Sequence, residues 1–233
     1  MKFVPSELFQ LNEKRTLNTI TIGEGGHQLV VIDDLFKYPQ DISLFMEELY
    51  YTDNRDIRNL TPAFRCSMGF PVKDLAREIF AQHFEKYKIE TLSHLVWSFD
   101  KYYDKSNIIE VDSIIPHVDS ERPWEGDPWY AAVIYMNEKR IHGGTQFIRR
   151  IDLDKKYETI ESYDEWTKVL VDNKTLINSE DVWNYDSNQW EQYYMLPMKF
   201  NRLVSYRSNL IHSIYTDWSY YKDTPRKTIT GSF

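Results

Sequence analysis

Hydrophobic and polar positions along the chain follow two different periods. Near the N-terminus, residues 27–34 (His27-Gln28-Leu29-Val30-Val31-Ile32-Asp33-Asp34) read as a short strand ending in a polar turn. Tyr38-Pro39-Gln40-Asp41 then opens a helix, with Ile42, Phe45, Met46 and Leu49 at helical spacing. A second helix is expected after Pro71, where Val72, Leu75, Ala76, Ile79, Phe80 and Phe84 trace an apolar stripe. From about residue 93 the texture becomes β-like. Residues 95–99, 129–136, 144–148 and 202–206 are short, β-prone and separated by turns, and a last strand runs over 227–233. Helices followed by many strands predict an α+β fold whose main body is a β-sandwich or jelly roll. Residues 152–197 interrupt the pattern with a segment crowded with Tyr, Trp, Asn and Asp, including a helix near 162–171. We read it as an insertion of the kind that can form a lid over a site. The expected organisation is one domain, with 1–92 as a supporting layer of helices and strand and 93–233 as the core.

Composition narrows the function. The chain has 233 residues with 28 Lys and Arg against 36 Asp and Glu, a formal net charge of −8. That balance argues against general attraction to nucleic acid, and no basic run offsets it. A single cysteine, Cys66, rules out an internal disulfide and suits a reducing compartment. The N-terminus lacks an apolar core of signal-peptide length, and no stretch approaches a membrane span. A soluble, cytoplasmic protein is expected.

The chemistry concentrates in Ile115-Pro116-His117-Val118-Asp119-Ser120. Two residues apart on an extended chain, His117 and Asp119 point to one face. Alone, such a pair can be a histidine held by a neighbouring carboxylate. A second histidine, His212 in Asn209-Leu210-Ile211-His212-Ser213, follows a strand and can turn into the same barrel. Two histidines and one carboxylate on one face of a metal make the facial triad of non-haem Fe(II) oxygenases, although Zn(II) accepts the same atoms. Arg226 and Thr228, in Pro225-Arg226-Lys227-Thr228, share strand parity. A guanidinium fork and a hydroxyl together can grip the distal carboxylate of a dicarboxylate. The bland alternative for Arg226 is a surface arginine.

The ordered set of His117-x-Asp119, Tyr135-Met136-Asn137, Gly143-Gly144-Thr145-Gln146-Phe147, His212 and Arg226 resembles the 2-oxoglutarate/Fe(II)-dependent dioxygenases, prolyl-4-hydroxylase-like branch. The resemblance covers about residues 93–233. It implies a double-stranded β-helix (a cupin-like jelly roll) with N-terminal helices on one face. It further implies Fe(II) held by His117, Asp119 and His212, with 2-oxoglutarate as cosubstrate bound by Arg226, assisted by Thr228 and Tyr135. Tyr102 or Tyr103 is a further candidate for the cosubstrate. The resemblance also implies O2 as the oxidant, with oxidative decarboxylation to succinate coupled to hydroxylation of a small molecule or a peptidyl residue. Two departures stand out: the interval from His212 to Arg226 is long, and so is the block 152–197.

Other residues compete less well. His83, His94 and His142 read as packed or solvated, and His27 as turn chemistry after Gly25-Gly26. Gly23-Glu24-Gly25-Gly26 lacks the Lys-Ser/Thr of a phosphate loop. Arg65, or Arg122 and Trp124 in the loop after Asp119, offer contacts to a substrate. Two rival readings remain at the level of sequence: a non-catalytic jelly-roll ligand-binding module, and a zinc hydrolase, which leaves Arg226 without a role.

Overall fold

Strands dominate the structure, and every pairing between them is antiparallel. The computed structural model describes residues 5–49, 52–53, 64–68, 96–102, 116–119, 130–139, 141–171, 188–215, 221 and 225–232. The helix expected over 72–84 lies outside them, as do His83, His94, Arg122, Trp124 and Tyr103.

The larger sheet contains β1 (Thr16–Ile22), β2 (His27–Asp33), β3 (Thr52–Asp53), β4 (Phe64–Met68), β5 (Val96–Tyr102), β6 (Tyr130–Tyr135), β9 (Arg202–Arg207) and β11 (Arg226–Ser232), in the order β1-β2-β9-β6-β11-β5-β4-β3. A smaller sheet runs β10-β7-β8, with β7 at Gly144–Arg150, β8 at Trp190–Pro197 and β10 at His212–Tyr215. The result is a β-sandwich of jelly-roll-like character.

Side-chain parity sets the layers. On β2, β6 and β9 one set of residues (Val30, Ile32, Ala132, Ile134, Leu203) joins Ile42 and Met46 of helix α2 (Pro39–Glu48) in one core. The alternate set (Leu29, Val31, Ala131, Tyr135, Val204, Tyr206) meets Phe147 and Leu196 of the smaller sheet in a second core. Both faces of β2, β6 and β9 are therefore buried, which explains their near-continuous apolar runs. Proline in the first turn of α2 supplies a fixed φ where no intrahelical N–H is needed. Lys227 then ties α2 to β11, its Nζ donating to Ser43 Oγ at 2.7 Å and pairing with Glu47 at 2.9 Å.

Three differences from the sequence reading have physical causes. Residues 190–197, placed within the insertion, form β8 and pair with β7 along its length. The excursion is thus confined to 151–189, between β7 and β8. Its helical part is split into a short helix, Tyr163–Trp166, and a π-helical turn, Thr167–Val171, with Ser162 Oγ accepting from the Glu165 N–H at 3.1 Å. Residues 16–22 form a strand the reading did not draw, closing a hairpin with β2 across the Gly23–Gly26 turn. Gly23 and Gly26 take left-handed φ of 69° and 66°, which glycine adopts without strain.

The described part of the insertion packs on the outer face of the smaller sheet. Tyr157, Ile160 and Val169 cluster with Ile148, Trp190 and Ile211, and Val118 joins them. Among the described residues, no helix is long and apolar enough to cross a membrane.

Candidate metal centre

His117 and His212 face each other as an isolated antiparallel bridge. The two residues exchange both backbone bonds, His117 N–H to His212 C=O at 3.0 Å and His212 N–H to His117 C=O at 2.9 Å. Directly opposed residues of such a pair project to the same face of the sheet, and the imidazole centroids lie 4.4 Å apart. Val118 turns the opposite way, into the cluster under the insertion. Asp119 returns to the side of His117, and its backbone N–H is held by the Ser208 carbonyl at 2.9 Å. The three side chains each offer one ligand atom, and those atoms all lie within 4.8 Å of one another. Among the described residues this is the one such grouping of histidine and carboxylate donors.

Local bonding selects the donor atoms. His212 Nδ1 lies 2.8 Å from the Leu210 carbonyl, which can only accept, so Nδ1 carries a proton. Its Nε2 faces Asp119 Oδ2 at 3.2 Å. Without a second proton, a lone pair and a carboxylate oxygen would confront each other at that distance; a cation that takes up the Nε2 lone pair removes the conflict. A histidine tied through one nitrogen to a carbonyl, with the other presented inward, is the usual preparation of a metal ligand. His117 Nε2 lies 3.9 Å from Asp119 Oδ1.

Desolvation works to raise the Asp119 carboxyl, but the charge and hydrogen bond of His212, the charge of His117 and the Tyr206 hydroxyl outweigh it and pull it down to about 2. Burial works to lower His212, and Asp119 with the Leu210 carbonyl raises it instead. His212 is 5% exposed and Asp119 34% exposed, so the pocket opens on the side of the carboxylate.

The cosubstrate candidates lie inside the sandwich. Arg226 is 2% exposed, with its guanidinium 5.6 Å from the centroid of the Tyr135 ring. A surface position for this arginine is thereby excluded. Thr228 is the Cα partner of Tyr135 across β11 and β6. It is fully buried, and its Oγ1 has no hydrogen-bond partner among the described residues. A hydroxyl left so costs about 1–3 kcal/mol, which an oxygen-bearing ligand would recover. The Tyr135 phenol lies 2.7 Å from Thr145 Oγ1. Tyr102 is the Cα partner of Arg226 at the end of β5.

Gly143-Gly144 has a steric reason. Gly143 takes a φ of 92°. A Cβ on Gly144 would sit 1.9 Å from the Leu196 carbonyl oxygen, so only glycine lets β7 and β8 close beside the site.

The remaining singled-out residues lie apart from the centre. His27 opens β2 and meets Glu158 Oε2 at 3.1 Å, so it belongs to an ion-pair cluster rather than to turn chemistry alone. Glu158 also accepts from the backbone N–H groups of Glu24 and Gly25 and from Arg149 Nη1, each at 3.0 Å. The His142 backbone is held by Tyr221. Cys66 lies in β4, free and part-buried, its thiol pushed up by burial. Three contributors went unmarked in the sequence: the Leu210 and Ser208 carbonyls and Tyr206. Tyr206 sits in a legible strand, but only the pairing of β9 with β6 brings it to the metal side.

A family model described as a family of unknown function, DUF6445, matches residues 13–227. No curated protein matches the chain. Among solved structures, a prolyl 4-hydroxylase from Phytophthora capsici is similar over 88% of this chain and 57% of its own, with 10% identity and a TM-score of 0.42. The chain therefore spans little more than half the length of that protein. An N-substituted L-amino acid dioxygenase from Burkholderia ambifaria AMMD is similar over 87% of this chain and 80% of its own, with 13% identity and a TM-score of 0.38. At such scores neither protein fixes the fold or the chemistry of this chain.

Proposed function

We infer that this chain, which belongs to the DUF6445 family, is a non-haem Fe(II) and 2-oxoglutarate-dependent oxygenase that hydroxylates a small molecule or a peptidyl residue. The observation that carries this reading is the convergence of His117, Asp119 and His212 donor atoms within 4.8 Å, with His212 Nδ1 committed to a backbone carbonyl. Two imidazoles and one carboxylate are the donor set of the facial triad, and they leave half of an octahedral shell open. The strand order supports a double-stranded β-helix. β5-β11-β6-β9 forms one wall, and the His117 bridge with β10-β7-β8 forms the other.

When bound, Fe(II) with 2-oxoglutarate supplies an O2-dependent oxidation that releases succinate and CO2 and hydroxylates the substrate. The chain's own part is positional. His117, Asp119 and His212 would hold the metal. Arg226 would take the distal carboxylate of 2-oxoglutarate in a bidentate grip. Thr228 Oγ1, buried with its donor uncommitted among the described residues, would add a hydrogen bond. The Tyr135 ring steadies the guanidinium by a cation–π contact. Phe147 and Tyr206 line the interior between the sheets and exclude water from it.

Anaerobic addition of Fe(II) and 2-oxoglutarate tests this reading. A weak visible metal-to-ligand band is expected, absent in His117→Ala and Asp119→Ala and weakened in Arg226→Ala. Admission of O2 should then yield succinate. An identical spectrum in all three variants would overturn the assignment, and turnover without O2 would favour a hydrolase.

A further inference from the structure

Among the described residues, Tyr206 carries the larger sheet to the candidate metal centre. It lies on β9, two residues before Ser208, whose carbonyl holds the Asp119 N–H. The two histidines, by contrast, belong to the wall of the smaller sheet. The Tyr206 hydroxyl donates to Asp119 Oδ2 at 3.4 Å. The ring is 1% exposed and gripped edge-on from two sides, by His212 with centroids 4.8 Å apart at 64° and by Phe147 at 5.1 Å and 88°. Its direction is therefore fixed by packing, not by the hydrogen bond alone.

We propose that Tyr206 is a positioning residue that holds Asp119 to a single metal-binding oxygen. The proposal rests on the metal site inferred above. A carboxylate can bind a metal through one oxygen or through both. Three single bonds from His117, Asp119 and His212 leave three of six positions open, enough for a chelating cosubstrate and O2. A chelating carboxylate would take one of those positions. The Asp119 oxygens have different surroundings. Oδ2 receives the phenol and lies 3.2 Å from His212 Nε2, whereas Oδ1 lies 3.9 Å from His117 Nε2. With the phenol donating to Oδ2, a second metal bond must compete with an O–H already aimed at that carboxylate edge. Among the described residues, the restraint on this carboxylate edge comes from within the sandwich.

The test uses Mn(II) as probe on the full chain without cosubstrate. Water-proton relaxation counts the exchangeable waters on the ion. Three are expected in the unaltered protein and two in Tyr206→Phe, with the same melting temperature before metal is added. Infrared difference spectra of protein carrying 13C-labelled aspartate give a second readout, because a carboxylate bound through one oxygen splits its two stretches more widely than a chelating one. A wide splitting in the unaltered protein that narrows in Tyr206→Phe supports the proposal. Equal water counts and equal splitting in the two proteins overturn it while leaving the metal site standing. Failure of the unaltered protein to bind Mn(II) or Fe(II) overturns the site and the proposal together. If Tyr206→Phe does not fold, the infrared spectrum of the unaltered protein decides, and a chelating pattern there overturns the role.

Discussion

Replacing Glu158 with alanine is expected to cost the fold about 3–5 kcal/mol, the range for breaking a buried ion pair. Glu158 is 8% exposed and receives four donors: the Glu24 and Gly25 N–H groups, Arg149 Nη1 and His27 Nε2, all at 3.0–3.1 Å. A hydrogen bond to a charged group contributes about 1.5–3 kcal/mol, so simple addition would exceed the ion-pair range. Two features hold the total down. Arg149 keeps Glu191 at 2.7 Å and Glu24 at 2.8 Å, and the hairpin turn that supplies the two N–H groups borders solvent. At about 2–4 °C per kcal/mol for a chain of this size, the melting temperature should fall by about 6–20 °C. Thermal unfolding followed by circular dichroism at neutral pH measures it. Glu158→Gln, which keeps one acceptor oxygen, should fall between the two proteins. A loss below about 1 kcal/mol, the level of an exposed ion pair, would refute the reasoning, because it would mean that water fills the cradle without penalty.

Two further outcomes follow from the same physics. Gly144→Ala places a Cβ against the Leu196 carbonyl, 1.9 Å away before relaxation, and should cost about 3 kcal/mol, the upper end for overpacking; a shifted denaturant midpoint checks it. Asp33 is held below the ordinary carboxylate range by the Arg202 fork, with Lys199 assisting. A depressed carboxyl adds stability that is fully present above its unfolded pKa of about 3.8 and is lost as pH falls through the lower folded value. Subtracting the stability-against-pH curve of Asp33→Asn from that of the unaltered protein should therefore leave a difference that rises with pH on the acid side and is flat from about pH 5 upward.

Much of the site was legible because it depends on parity. His117 and Asp119, two apart, share a face, and Arg226 and Thr228 do so again. The central strands were legible because both of their faces are buried, which leaves apolar runs bounded by turns. β8 was not. Its sequence, WEQYYMLP, alternates poorly because β7 and β8 shift register between Phe147 and Ile148, which inserts Tyr193 as an extra residue. β1 exposes five of its seven residues to water and so carries little apolar signal. Tyr206 could not be singled out from the chain alone. Its role depends on which strand lies across the sandwich from the histidines, a pairing between distant segments.

The direct pairing of His117 with His212 has a further consequence. These residues stand about 95 positions apart in the sequence, so an ion held by both would tie together the two ends of a long loop. In the chain-entropy description, a covalent link across about 100 residues removes about 4.7 kcal/mol of freedom from the unfolded state. A coordinated ion, released when the chain unfolds, would instead stabilise by mass action on the folded state, in step with the supply of metal. An ion held there would then be a clasp on the fold, and its removal would shorten the lifetime of the folded chain.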